Sequence, residues 1–232
     1  MSIFNNFQKS EVKYLIINQN KQDIYPIAFF DSIKKYPSHI KRTKCPAVYT
    51  VSNRFFYVNS FAELKIEFGY KEGKEYFNYE FDTTIHSPSS LMHNFINENC
   101  FLSYEDNLVH FQLGSPYAFV TDDNELEVTT IPPQIKYENC TFVPGALKPA
   151  NWIRQLNSAF IINDINKPAF IYFSIDKPML NFYFNKPINL NYSEYTDKIQ
   201  KYHSVNKYIN NYRKKLNNIY DRALLFRPKK LL

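Results

Sequence analysis

A chain of 232 residues that is 44% hydrophobic and 18% aromatic can bury a substantial core, as one large domain or as one domain with an arm. It has no apolar run of the ~18 residues that a helical span needs, and its start lacks a signal peptide's charged head and apolar centre, so a soluble, unexported protein without a membrane span is expected. The net charge of +6 is unevenly placed: residues 193–232 hold ten Lys or Arg against three Asp or Glu, whereas residues 1–192 sum to −1.

Three regions follow from the pattern. Residues 1–44 read as a segment that wraps the main body, with strand content at Val12–Ile17 and a short helix predicted over Phe29–Tyr36, stopped by Pro37.

Residues 45–192 read as a β-rich body. Phe55–Val58 and Leu64–Phe68 are expected to pair, and Tyr76–Phe81 follows a turn at Lys71-Glu72-Gly73-Lys74. Further strands are predicted at Leu108–Leu113, Tyr117–Val120, Leu126–Ile131, Ala159–Ile162, Ala169–Ile175 and Leu180–Phe184. Short strands with Pro, Asn and Asp between them indicate a mainly β fold, an antiparallel sandwich or barrel. Three Asn/Asp-Lys-Pro triplets begin at Asn166, Asp176 and Asn185. Proline fixes φ and lacks an N–H, so it is accepted at a strand's first residue or in a turn. Each triplet is therefore expected to start a strand, and their spacing suggests an antiparallel meander.

Residues 193–232 change period and read as a basic helical arm. Ser193 is the expected N-cap, with Glu194 and Asp197 in the first turn. An apolar stripe then runs through Ile199, Tyr202, Val205, Ile209, Tyr212, Leu216, Ile219 and Ala223, predicting one long amphipathic helix over 193–223. Lys201, Lys207, Arg213, Lys214, Lys215, Arg222, Arg227, Lys229 and Lys230 are the candidate contacts for a partner or nucleic acid.

No catalytic constellation is visible. The four glycines are too scattered for a phosphate-binding loop, the five histidines form no metal motif, and Gly-x-Ser-x-Gly is absent. Cys45, Cys100 and Cys140 are read as buried thiols, and no cofactor or metal is expected. Tyr104-Glu105-Asp106-Asn107 and Asp122-Asp123-Asn124-Glu125 read as hairpin turns, and the sequons at Asn139 and Asn191 carry little weight without export.

The run Ile24–Phe68, with Lys34-Lys35-Tyr36-Pro37 and Thr43-Lys44-Cys45-Pro46, resembles the start of a group of β-rich proteins encoded by tailed phages, marine ones especially. Leu113–Thr121, Val143–Gly145 and Ile175–Phe184 are similar to later blocks of that group. The resemblance implies a phage protein in the virion or the host cytoplasm and implies no activity. The later blocks also resemble the dUTPase and dCTP deaminase family faintly. That family places a catalytic Asp in a Gly-x-Val/Ile-Asp segment, and the comparable stretch Pro144–Pro149 has none.

The favoured expectation is a non-enzymatic phage protein, virion-associated or accessory. It would bind a phage or host protein, or a second copy of itself, through a β platform and the basic arm. A nucleotide- or metabolite-binding enzyme on a dUTPase-like fold is one alternative. A nucleic-acid-binding module acting through the C-terminal helix is the other.

Overall fold

The computed structural model describes residues 9–17, 30–32, 53–60, 62–82, 93–94, 96–97, 100–175, 177–211, 227, 230 and 232. In chain order the strands are β1 (Ser10–Ile16), β2 (Phe30–Ser32), β3 (Phe55–Asn59), β4 (Leu64–Lys71), β5 (Lys74–Phe81), β6 (Cys100–Glu105), β7 (Leu108–Gly114) and β8 (Tyr117–Val120). They continue with β9 (Val128–Ile131), β10 (Lys136–Glu138), β11 (Cys140–Val143), β12 (Ala146–Leu147), β13 (Asn157–Ile162), β14 (Ala169–Phe173), β15 (Pro178–Phe184) and β16 (Ile188–Tyr192). A helix, α1, spans Asp197–Asn211.

The fold is mainly β, in four sheets ordered β16-β1-β8, β10-β14-β4-β5, β11-β13-β7-β6 and β12-β9-β15-β3-β2. Their ladders are antiparallel except that of β1 with β16, which is parallel. Alternation decides which side of each strand is covered. In β4, Leu64, Ile66 and Phe68 are buried while Lys65 and Glu67 stay partly open, and in β13 Ser158, Phe160 and Ile162 are buried while Asn157, Ala159 and Ile161 are not.

The two four-stranded sheets face each other through aromatic pairs. Phe68 of β4 stacks on Phe111 of β7 at 4.8 Å, Tyr70 on Tyr104 of β6 at 4.5 Å, and Tyr137 of β10 meets Phe160 of β13 at 5.6 Å. Phe119 of β8 lies edge-on to Phe182 and Phe184 of β15 at 5.2 and 5.3 Å, which joins the three-stranded sheet to the five-stranded one. All four sheets contribute to one contiguous apolar cluster, from Val12 to Ile188.

Two hairpins have the turn chemistry that a right-handed sheet twist demands. Glu72 and Gly73 join β4 to β5 with φ of 52° and 80°, and Asp106 and Asn107 join β6 to β7 with φ of 53° and 63°. Positive φ at both central residues is the type I′ pattern. The turn expected at Lys71–Lys74 and the hairpin expected at Tyr104–Asn107 are therefore both present.

Pairing partners differ from expectation in several places. Phe55–Val58 and Leu64–Phe68 do not pair: β3 lies between β15 and β2, and β4 between β14 and β5. The short N-terminal helix is not formed where its first turn was expected, because Phe30–Ser32 is a strand on the edge of β3. A two-turn helix has to carry its own nucleation cost, whereas a neighbouring strand offers ready backbone partners. Residues 33–36 of that predicted helix lie outside the described residues.

The three Lys-Pro triplets do precede strands, since β14 begins at Ala169, β15 at Pro178 and β16 at Ile188. They do not form a meander. The three strands belong to three different sheets, so the chain crosses to a new sheet after each triplet. Asp122–Glu125 is likewise no hairpin turn, because β8 pairs with β1 while β9 pairs with β15 and β12.

Candidate functional site

Two places merit attention: the corner that receives the C-terminal segment, and the outer faces of the four-stranded sheets. The predicted arm begins later than Ser193. The Ser193 amide donates to the Tyr14 carbonyl at 3.1 Å and so continues the β1/β16 pairing, which leaves Thr196 as the cap, its hydroxyl accepting from the Ile199 amide at 3.4 Å. Helix α1 is described over 15 residues, Asp197–Asn211, and residues 212–226, which include the rest of the predicted span, lie outside the described residues.

The start of the helix docks on its own body. Ile199 and Tyr202 are buried with Leu15, Ile17, Ala118, Val120 and Ile153 in a small second core, with Tyr195 and Leu232 packed against it. The Tyr202 hydroxyl donates to the Asn151 carbonyl at 2.9 Å, and burial pushes its pKa up to about 12. Tyr195 is also pushed up to about 12 by burial, with its hydroxyl 2.5 Å from His203 Nδ1.

Arg227, a candidate partner contact, is engaged within the chain. Its guanidinium donates to the Ala150 carbonyl at 2.7 Å, the Thr121 carbonyl at 3.2 Å and Asp122 Oδ1 at 2.9 Å, and its side chain is only 8% exposed. The Leu232 amide donates to the other Asp122 oxygen at 3.0 Å. The neighbouring Asp123 accepts from Ser10 Oγ at 2.5 Å and pairs with Lys186 Nζ at 2.6 Å. Burial pushes the Asp123 carboxyl up, but hydrogen bonds from Lys186, Ser10 and the Glu125 amide outweigh it and hold the pKa below its ordinary value. The acidic run thus fastens the starts of β1 and β16 and the C-terminus to the end of β8.

Of the other candidate contacts, Lys201 on α1 and Lys230 are exposed. Lys207 lies in α1. Arg213, Lys214, Lys215, Arg222 and Lys229 lie outside the described residues.

Cys100 and Cys140 are buried, and burial pushes both thiols up to about 12, which leaves them protonated and unreactive. Among the described residues no group of three His, Cys, Asp or Glu could hold a metal ion. None of the helices among them is long and apolar enough to cross a membrane. The Asn139 side chain is occupied: its amide donates to the carbonyls of Asp164, Lys167 and Pro168 at 2.9, 2.9 and 3.3 Å, and its oxygen accepts from the Asp164 amide at 3.0 Å.

The outer faces of the two four-stranded sheets differ sharply. On β10-β14-β4-β5, cross-strand rows read Lys136-Tyr172-Lys65-Glu80 and Glu138-Phe170-Glu67-Asn78. Lys136 pairs with Glu138 at 2.6 Å and Lys65 with Glu80 at 3.4 Å, so charge covers the aromatics. On β11-β13-β7-β6, the rows read Val143-Ala159-Gln112-Phe101 and Thr141-Ile161-His110-Ser103. Neither row contains Lys, Arg, Asp or Glu, and Phe101 is 56% exposed. Sequence reasoning missed this surface because its members come from four separated segments. The one signal available was a lack of charge at the outward alternate positions of Leu108–Leu113 and Ala159–Ile162.

Comparison with protein-family models, curated proteins and solved structures gives no match to the chain.

Proposed function

We propose that the chain is a non-enzymatic phage protein, virion-associated or accessory, that presents the outer face of β11-β13-β7-β6 to a protein partner. One observation carries the reading: this face holds two uncharged rows and an exposed Phe101, whereas the opposite sheet covers its outer face with paired charges. The centres of protein interfaces are depleted in charge and enriched in aromatics. The resemblance of Ile24–Phe68 to a phage protein group supports the setting.

Two measurements test the reading. Mass spectrometry of purified virions checks virion association; absence of the chain there leaves only the accessory role. Capture from infected-cell lysate, comparing wild type with Ala159→Arg at the centre of the face, checks the surface. Proteins retained by wild type and lost by the variant support it, and equal retention by both removes this face as the contact.

A second reading, nucleic-acid binding through the basic tail, is favoured by Lys198 and Lys201, which are both exposed on α1 while Ile199 and Tyr202 face the body. It predicts affinity that falls steeply with salt and is lost in Lys198→Glu/Lys201→Glu.

A further inference from the structure

Unpaired sheet edges expose backbone donors and acceptors, and folded proteins protect them with lysine, proline, short strands or a covering segment. Most edges in this fold show such a device. β5 and β10 carry Lys74 and Lys136, β2 and β12 have three and two residues, β11 runs into Pro144, and β16 follows Pro187. β8 is buried along its whole length, with Ala118 and Val120 in the core that receives the C-terminal segment.

Among the described residues, β6 is the exception. Its six residues, Cys-Phe-Leu-Ser-Tyr-Glu, include neither lysine nor proline, and Phe101 and Tyr104 are 56% and 36% exposed. It is the end strand of the sheet whose outer face holds the two uncharged rows.

We propose that β6 pairs antiparallel with β6 of a second copy, about a two-fold axis normal to the sheet, so that two four-stranded sheets become one of eight strands. The strand's charge pattern and its pleat both fit this occupant. With Leu102 opposite Leu102, Phe101 meets Ser103 on the outer side and Cys100 meets Tyr104 on the inner side, so every facing pair shares a face, as the sheet pleat requires. Glu105, the one charged residue of the strand, falls at opposite ends of the two copies, and no like charges meet across the ladder. The two uncharged rows then run through the axis into their symmetry mates, as a self-complementary two-fold contact requires. The proposal rests on the platform reading, since it doubles the same face.

A six-residue edge is only about 20 Å long. That is short for the ~800 Å² per partner of a stable interface, so the dimer is weak and reversible.

Sedimentation velocity on the full chain, from about 5 to about 500 μM, covers the range over which an interface this small dissociates. Wild type is expected to move from monomer to dimer across it. Phe101→Lys/Ser103→Lys, which puts lysines on the outward side of the edge, is expected to remain monomeric with unchanged circular dichroism and melting. Asn78→Lys on the other sheet's edge should dimerise as wild type does. Amide exchange on wild type supplies a readout free of substitutions: β6 amides should gain protection with concentration while β5 amides do not. A wild type that stays monomeric throughout, a dimer that survives the double substitution, or protection gained in β5 instead overturns the proposal. A monomer that still captures a protein through the Ala159-sensitive face keeps the platform reading and removes only the self-pairing. A dimer that captures nothing does the reverse.

Discussion

The sandwich between the four-stranded sheets and the corner that holds the C-terminus are built from different forces. The sandwich relies on apolar burial, with Phe68 and Phe111 stacked and fully buried at its centre. The corner has only a small apolar core and adds directed polar contacts to it, two adjacent aspartates gripping Arg227, the Leu232 amide, Ser10 and Lys186. Burial has little preference for direction, so it holds layers together. Hydrogen-bonded charge depends on position, so it fixes segments that are far apart in the chain, such as residues 10, 123 and 186.

The contrast yields graded expectations. The largest effect is expected for Phe68→Ala, which should cost about 3–5 kcal/mol in urea unfolding, because the cavity opens where both sheets meet. A loss below about 1 kcal/mol would mean that the sheets are not held through this stack.

Arg227→Ala should cost about 1.5–3 kcal/mol, the scale of hydrogen bonds to a charged group. Amide exchange should accelerate in α1 and β8 while β4 and β7 keep their protection. Equal acceleration everywhere would show that corner and sandwich unfold as one unit.

Asp123 gives the corner a pH signature of its own. Its folded pKa lies below the unfolded one, so its contribution is present above the ordinary carboxylate pKa and is lost as pH falls through the depressed value. Melting followed from neutral to acid pH should therefore decline less steeply in Asp123→Asn than in wild type. An unchanged pH profile would remove Asp123 as a fastening group.

The smallest effect is expected for Lys65→Ala on the charged outer face. The Lys65–Glu80 pair is open to water, with Glu80 77% exposed, so less than about 1 kcal/mol should be lost. A larger loss would place part of the sandwich's stability on its outside.

Local structure was legible wherever one residue type governs the backbone. Lys-Pro marked the starts of β14, β15 and β16, because proline is tolerated there and not inside a paired strand. Glu72-Gly73 and Asp106-Asn107 marked hairpins, because glycine and Asx side chains tolerate positive φ. Ser193 misled, because its amide had a better partner in the Tyr14 carbonyl than in a new helix. Arg227, counted among the basic arm's contacts, turned inward for the same reason: a carboxylate and two carbonyls were waiting 105, 106 and 77 residues away.

The sequence by itself determined that this is a mainly β chain, where many of its strands begin, which hairpins close and which residues face inward. Those follow from φ preferences and from alternation within a few residues. Only the tertiary structure decided that β14, β15 and β16 enter three different sheets, that the start of the stripe on α1 docks at home, and that two adjacent rows of one outer face are left without charge. A backbone ladder accepts any strand in reach, so the choice of partner depends on how all the apolar faces are buried together, which no single segment encodes.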